Sequence, residues 1–320
     1  VGQELDLRLL RGFVAVAEEL HFTRAADRLF VAQQALSRDI GRLEQQLGVR
    51  LFVRSTRSVT LTADGERLLV HARALLARND AALRDLAGAS GPLLVDVIGE
   101  GLTPARIVDA ARRAAPRHEF TMRYGGGLGA AVPLLNAGRL DVAFGRPAGL
   151  PAPLPPDLVH RRIRYERIGV LVLQDSPLAA LDAVPMARLR GAELDASNGN
   201  DDAPEWVDLA VSLLGAFGAR PSPPHPHVIG PGETARHLAQ HGLPILTMTE
   251  CSPVAGAVVR PLVDPVPLYP WAMVHRRDLR HPALATLAAV AAELSAKEGW
   301  LQVPEGAWLP PDEHLPDSRM

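Results

Sequence analysis

The chain has 320 residues, 47% apolar and 22% charged, an ordinary globular composition that excludes disordered or fibrous classes and leaves room for two or three domains. Its single cysteine, Cys251, excludes an internal disulfide and a cysteine-rich zinc site, and points to a reducing cytoplasm. Net charge is −2, yet residues 23–60 hold seven arginines against three acids, an excess that suits a phosphate-facing surface or else marks a solvated face with chance clustering.

Charged residues at Glu4, Asp6, Arg8, Arg11, Glu18 and Glu19 interrupt any apolar stretch at residues 1–20 long enough for a signal peptide or a membrane span, so neither export nor membrane insertion is expected. Lys297 is the only lysine among 34 basic residues, which reads first as a coding bias and second as a demand for guanidinium chemistry.

From Asp6 to Glu19, apolar residues at Leu9, Leu10, Phe13, Val16 and Ala17 follow a helical spacing and predict a first helix. Thr23 is placed as the N-cap of a short second helix, Arg24 to Phe30, whose Ala25 and Ala26 permit close approach of a neighbour. A third helix is predicted from Gln33 or Gln34 to Leu47, with Leu36, Ile40, Leu43 and Leu47 inward and Gly48 as its stop. Gln33, Gln34, Ser37, Arg38 and Arg42 then fall on other faces. The first four lie near the helix N-terminus, where a recognition helix meets base edges: Gln pairs with adenine, Arg with guanine, and Ser with several edges.

Residues 51–53 and 59–61 read as two strands of a wing carrying Arg54 and Arg57, both suited to phosphate or minor-groove contact. Thr62 is expected to cap a fourth helix reaching about Leu86, with Asp64 and Glu66 in its first turn. Its apolar band, Leu68, Leu69, Ala72, Leu75, Leu76, Leu83 and Leu86, exceeds what a small winged domain needs to cover. Pairing with a second copy is the simplest use, and packing on its own domain is the alternative.

The run from Leu7 to Glu19, then Phe22-Thr23-Arg24-Ala25-Ala26, Gln33 through Arg38, Leu43-Glu44, Leu47 to Phe52, Arg54 and Leu61-Thr62-Ala63-Asp64-Gly65, resembles the N-terminal domain of LysR-type transcriptional regulators. The resemblance implies that Gln33, Gln34, Ser37 and Arg38 read bases and that Arg54 and Arg57 belong to the wing; Thr23, Arg24 and Arg42 complete the DNA-facing set. Gln34 stands where the family usually places proline, so no base preference is carried over there.

Gly88 to Pro92 marks a hinge. Beyond it, strands at 93–98, 119–124 and 142–144 alternate with helices at 104–115 and 128–137, which predicts an α/β layer with a largely parallel sheet. Ile163 to Leu173 reads as paired strands entering a second lobe that holds a helix at 205–217 and a strand at 244–248. A returning strand at 271–275 and a helix at 282–296 follow, and prolines and charges predict a disordered tail at 303–320.

Two such lobes resemble the same family's effector-binding domain, itself similar to periplasmic solute-binding proteins. The best matches are Gly138 to Pro147 and Glu233-Thr234 through Leu246. The expected architecture is therefore α+β and multidomain. A winged helix-turn-helix occupies 1–61 and a linker helix with hinge 62–90. A two-lobed α/β effector domain fills 91–302, with lobe 1 at about 91–161 and 266–302 and lobe 2 at about 162–265.

Ligands of such domains sit at strand ends, which nominates Glu100, Gly101, Leu102 and Thr103, Gly126 and Gly127, Arg146, Asn198 and Thr247. Thr103 is the foremost candidate, with Arg146 as a charge-assisted partner or a plain surface arginine. The family often has a hydroxyl residue after the second strand, where this chain has three glycines. Glu100 would repel a carboxylate ligand or select a cation.

Gly125 to Ala130 also satisfies a G-x-G-x-x-A pattern, but Asp141 begins the next strand instead of ending it, which weighs against a dinucleotide enzyme. His225 and His227 alternate in a proline-rich segment without a Cys or carboxylate nearby in sequence, so a surface loop is preferred to a metal site. Cys251 reads as a packed thiol before a redox sensor, and a solute-binding protein is disfavoured by the N-terminal domain. The expectation is a cytoplasmic, non-enzymatic regulator without a cofactor. Its partners would be double-stranded DNA, a small-molecule effector and its own copies, as dimers through the linker helix. The resemblance adds tetramers and RNA polymerase.

Overall fold

The computed structural model describes residues 4–54, 59–86, 91–196, 199–200 and 202–313. The chain divides into two compact units, the first formed by residues 1–89 and the second by most of residues 90–320.

In the first unit, Asp6 accepts a hydrogen bond from the Arg8 amide and opens helix α1 (Leu7–Glu19), which ends on Leu20 at φ 47. Helix α2 (Phe22–Leu29) begins earlier than predicted. Its cap is His21, whose Nδ1 accepts from the amides of Thr23 and Arg24, so Thr23 is the second residue of the helix and not its cap. Helix α3 (Gln33–Leu47) buries Leu36, Ile40 and Leu43 and stops at Gly48, whose φ of 70 suits glycine. Strands β1 (Phe52–Arg54) and β2 (Val59–Leu61) form an antiparallel wing. The buried Glu44 carboxylate accepts from the Leu51 amide at 2.8 Å and the Phe52 amide at 3.3 Å, tying the wing to α3. Thr62 Oγ1 accepts from the Gly65 amide at 3.0 Å and caps helix α4 (Ala63–Leu86).

The apolar band of α4 splits. Ala72 is fully buried, and Leu68, Leu69 and Leu76 pack on the first unit's own core, whereas Leu75 and Leu83 are exposed together with Val70. Arg73–Glu18 and Arg11–Asp80 ion pairs tie α4 to α1. The side chain of Leu86 lies outside the described part.

The second unit runs β3 (Leu93–Asp96), α5 (Thr103–Ala114), β4 (Phe120–Arg123), α6 (Leu128–Asn136), β5 (Val142–Gly145), β6 (Leu158–Leu173), β7 (Val184–Pro185), β8 (Glu193–Leu194), α7 (Pro204–Ala216), β9 (Arg220–Pro221), α8 (Pro231–His241), β10 (Ile245–Met248), β11 (Ala257–Val263), β12 (Leu268–Arg276) and α9 (Pro282–Lys297). The strand order is β4-β3-β5-β12-β6-β11-β7, with β10 also on β6.

Three expectations change here. The sheet is mixed: β3 pairs in parallel with β4 and β5, but β12, β6, β10 and β11 pair antiparallel. The predicted pair of strands at 163–173 is one 16-residue strand. Its residues 158–167 pair with β12 and its residues 168–173 with β10 and β11, so the change of lobe falls near Arg167, past the expected boundary at 161/162.

Residues 303–313 are not a disordered tail. Trp308 exchanges backbone hydrogen bonds with Val266 and Leu268, and Asp312 and Glu313 pair with Arg146 and Arg162. Residues 314–320 lie outside the described part.

Candidate functional site

The outward face of α3 begins the first candidate site. Burial of Leu36, Ile40 and Leu43 rotates Gln33, Gln34, Arg38 and Arg42 into solvent, and Ser37 is half-buried. Its N-cap, Ala32, makes no side-chain cap bond, and the Ala32 carbonyl accepts from the amides of Ala35 and Leu36, so the opening of the helix presents its amides beside amide and guanidinium side chains. Such a turn has the donor set for phosphates and base edges. Arg24 is exposed but engaged: it reaches the Glu19 carbonyl and carboxylate. Thr23 is exposed next to it. Arg54 ends β1, with only its backbone described, and Arg57 lies outside the described residues.

The second candidate site is a cavity of about 480 Å³ in the second unit. Trp206, Tyr269 and Trp271 form an aromatic wall, with ring centroids 5.5 Å apart for Trp206 and Tyr269 and 4.7 Å for Tyr269 and Trp271. Ile98, Leu102, Leu171 and Met248 add apolar surface. Polar side chains come from Glu100, Asn200, Glu205, His227, Thr234, Thr247 and Ser252 among others, and no arginine or lysine lines the cavity among the described residues.

Of the residues nominated from sequence, Glu100, Leu102, Gly126 and Thr247 line this cavity, whereas Gly101, Thr103, Gly127 and Arg146 do not. Asn198 lies outside the described residues.

Thr103 is fully buried and already spent. Its hydroxyl donates to Glu166 Oε2 at 2.7 Å and accepts from Arg164 at 2.7 Å. Trp271 Nε1 donates to the same Glu166 oxygen at 2.5 Å, and Arg164 forks onto Glu250 at 2.6 and 3.0 Å. Burial pushes the Glu166 carboxyl above its ordinary value, against the pull of Arg164, Thr103 and Trp271. Burial acts in the same sense on Glu250, but hydrogen bonds and charge from Arg164 and Arg106 outweigh it and hold Glu250 below its ordinary range.

Arg146 is not a surface arginine, and it does not line the cavity. It is fully buried, pairs with Asp208, forks onto Asp312 at 2.9 and 3.1 Å, and donates to the Glu205 carbonyl at 3.3 Å. These bonds join the end of β5, α7 and the C-terminal segment.

The three glycines after β4 also serve the protein itself. Glu205, at the start of α7, is buried and accepts from the Leu128 amide at 2.6 Å and the Gly129 amide at 3.2 Å, filling the anion position at the α6 N-terminus. Gly127 has φ 144, and a Cβ there would come within 2.6 Å of the Ala203 Cβ. The glycines therefore let the 202–205 segment close on the turn. Burial raises the Glu205 carboxyl despite these N–H donors.

Sequence reading missed Arg164, Glu166, Glu205 and the aromatic wall. Arg164 and Glu166 did leave a signal, being opposite charges two apart in a strand and so on one face. Cys251 lines the cavity, and burial pushes its thiol up, which disfavours the reactive thiolate. The two alternating histidines part company. His227 lines the cavity, whereas His225 Nε2 lies 3.1 Å from Asp195, next to His237. No helix among the described residues is long and apolar enough to cross a membrane.

Residues 7–66 match the bacterial regulatory helix-turn-helix protein, lysR family, and residues 94–296 match the LysR substrate binding domain. The HTH-type transcriptional regulator ShiR of Corynebacterium glutamicum (strain R) is 38% identical over 192 residues, 58% of this chain and 63% of ShiR, so the match spans under two thirds of that relative. The HTH-type transcriptional regulator TtuA of Agrobacterium vitis is 32% identical over 232 residues, covering 68% of this chain and 72% of TtuA. A full-length OxyR variant from Pseudomonas aeruginosa superposes with a TM-score of 0.59 at 26% identity, covering 90% of this chain and 98% of that one. With both family domains matched in order and the second alone spanning more than half its length, the chain belongs to the LysR family of bacterial regulators.

Proposed function

We propose that the protein is a DNA-binding transcription regulator whose affinity or geometry on DNA responds to a small molecule in the second unit's cavity. The observation that carries this reading is the outward face of the first half of α3, with Gln33, Gln34, Arg38 and Arg42 exposed above a buried Leu36-Ile40-Leu43 stripe. Arg54 and Arg57 would flank it from the wing. A pair of chains joined through the exposed band of α4 would present two such helices to successive major grooves about 10–10.5 base pairs apart. Tetramers and contact with RNA polymerase belong to the same reading. Fluorescence anisotropy with a duplex from the region upstream of the protein's own gene tests it. Log affinity should fall linearly with log salt. An absence of salt-sensitive affinity for any duplex overturns it.

The cavity supports a narrower statement about the effector. An aromatic wall, the acid Glu100 and no lining arginine or lysine among the described residues suit a neutral or cationic aromatic molecule better than a carboxylate.

A further inference from the structure

We propose that Asp195, His225 and His237 bind one divalent transition-metal ion of the zinc class and thereby fasten the segment that forms one wall of the cavity.

Three elements distant in sequence bring these groups together. Asp195 follows β8 and is only 2% exposed; its amide donates to the Pro244 carbonyl at 2.9 Å and its carbonyl accepts from the Leu246 amide at 2.8 Å. His225 sits in the proline-rich stretch before α8, and His237 sits on α8 itself. Their Nε2 atoms lie 3.1 and 3.4 Å from the same Asp195 oxygen, Oδ2. Ligands about 2.0–2.1 Å from a tetrahedral ion stand roughly 3.3–3.4 Å apart, so the two nitrogen–oxygen separations already approximate the edges of such a site.

The rings are already held in place for such a site. His225 Nδ1 lies 2.9 Å from the Pro226 carbonyl, and the His225 ring stacks on that of His237 at a centroid distance of 4.3 Å. One metal ion would serve both Nε2 atoms and the carboxylate together. The outward Nδ1–H on a backbone carbonyl is the support that metal-bound histidines commonly use. Two imidazoles and one carboxylate favour zinc, nickel or cobalt over calcium or magnesium, which take oxygen ligands.

The site adjoins the cavity through the chain itself. Two residues beyond His225, His227 begins the run to Pro231 that lines the cavity, and Thr234, three residues before His237 on α8, lines it too. An ion holding His225 to His237 would restrain both ends of this wall.

The test uses the full-length protein without a histidine tag, titrated with zinc chloride alone near neutral pH by calorimetry and by competition with a chromophoric chelator. One ion per chain is expected. His225→Ala and His237→Ala should each weaken binding by roughly 100-fold or more, while His227→Ala should leave it unchanged. Both histidines are partly exposed, so these variants should fold, which far-UV circular dichroism checks; the buried Asp195 is left intact. Wild-type affinity in both variants would move the metal elsewhere and overturn the proposal. So would a lack of saturable zinc binding in the wild-type chain, which would leave a plain His–Asp ion pair. No DNA enters the measurement, so its outcome is independent of the regulator reading.

Discussion

On the proposed reading, a guanidinium on the outward face of α3 and one in the sequence between β1 and β2 would ask different things of DNA. Arg38 is exposed beside Gln34 on a helix whose other face is buried, a placement that suits a planar fork to guanine. Arg38→Ala should weaken binding to the preferred site by about 1–3 kcal/mol and relax preference at one base pair. Arg57→Ala should weaken all duplexes alike and lower the slope of log affinity against log salt by about one. Gel-shift profiles for Arg38→Ala that match the wild type would remove Arg38 from the reading set. Glu205 offers a residue-scale test of the second unit. Its folded carboxyl titrates above the ordinary value of 4.5, so the folded state holds the proton more tightly than the unfolded chain. That contribution to stability is complete below the ordinary value and is lost as pH rises through the folded one. Glu205→Gln keeps an acceptor for the Leu128 amide and cannot ionise. Denaturant midpoints should therefore show the variant gaining on the wild type as pH rises from about 4.5; a constant difference across pH would assign the burial effect to another group.

The helix α4 carries two apolar surfaces with separate fates. Ala72 is fully buried in the first unit's own core, and Ala72→Leu should destabilise that unit by about 1–3 kcal/mol in urea melts. Leu83 is 59% exposed, so Leu83→Glu should leave the melting of the chain unchanged and shift sedimentation from paired to single chains. A variant that still pairs would place the self-association surface elsewhere. Elements of this kind show where sequence reading succeeds. Helix α3 was legible because a 3.6-residue period, a buried stripe and Gly48 as a stop are all local signals. Strand β6 was not, since an apolar run with interspersed arginines looks the same whether it forms a hairpin or one strand serving two sheets. Strand direction was hidden for the same reason: β12 lies between β5 and β6 through pairings more than a hundred residues apart. Thr103, Arg146 and the glycine turn were found as notable residues, but their partners, Glu166, Asp312 and Glu205, come from distant segments, and it is the partners that decide whether a polar group is free for a ligand.

Across the whole molecule, regulation requires that a ligand in the second unit and DNA on the first alter each other's affinity. The cavity fixes what that ligand should resemble: Trp206 and Trp271 line it, so an occupant should change tryptophan fluorescence, and the lack of a lining arginine or lysine among the described residues disfavours an anion. Phenols and aromatic amines should accordingly raise the melting temperature at concentrations where benzoate does not. Coupling in such systems is typically about 1–3 kcal/mol, which corresponds to roughly 5–150-fold in affinity. Linkage makes the expectation strict, because an operator duplex must change the ligand's dissociation constant by the same factor as the ligand changes the duplex's. Anisotropy measured with and without ligand, and fluorescence titration measured with and without duplex, supply the two factors. Equal factors different from one would establish the cavity as a regulatory site, whereas ligand binding with both factors at one would leave it a binding site that DNA does not sense.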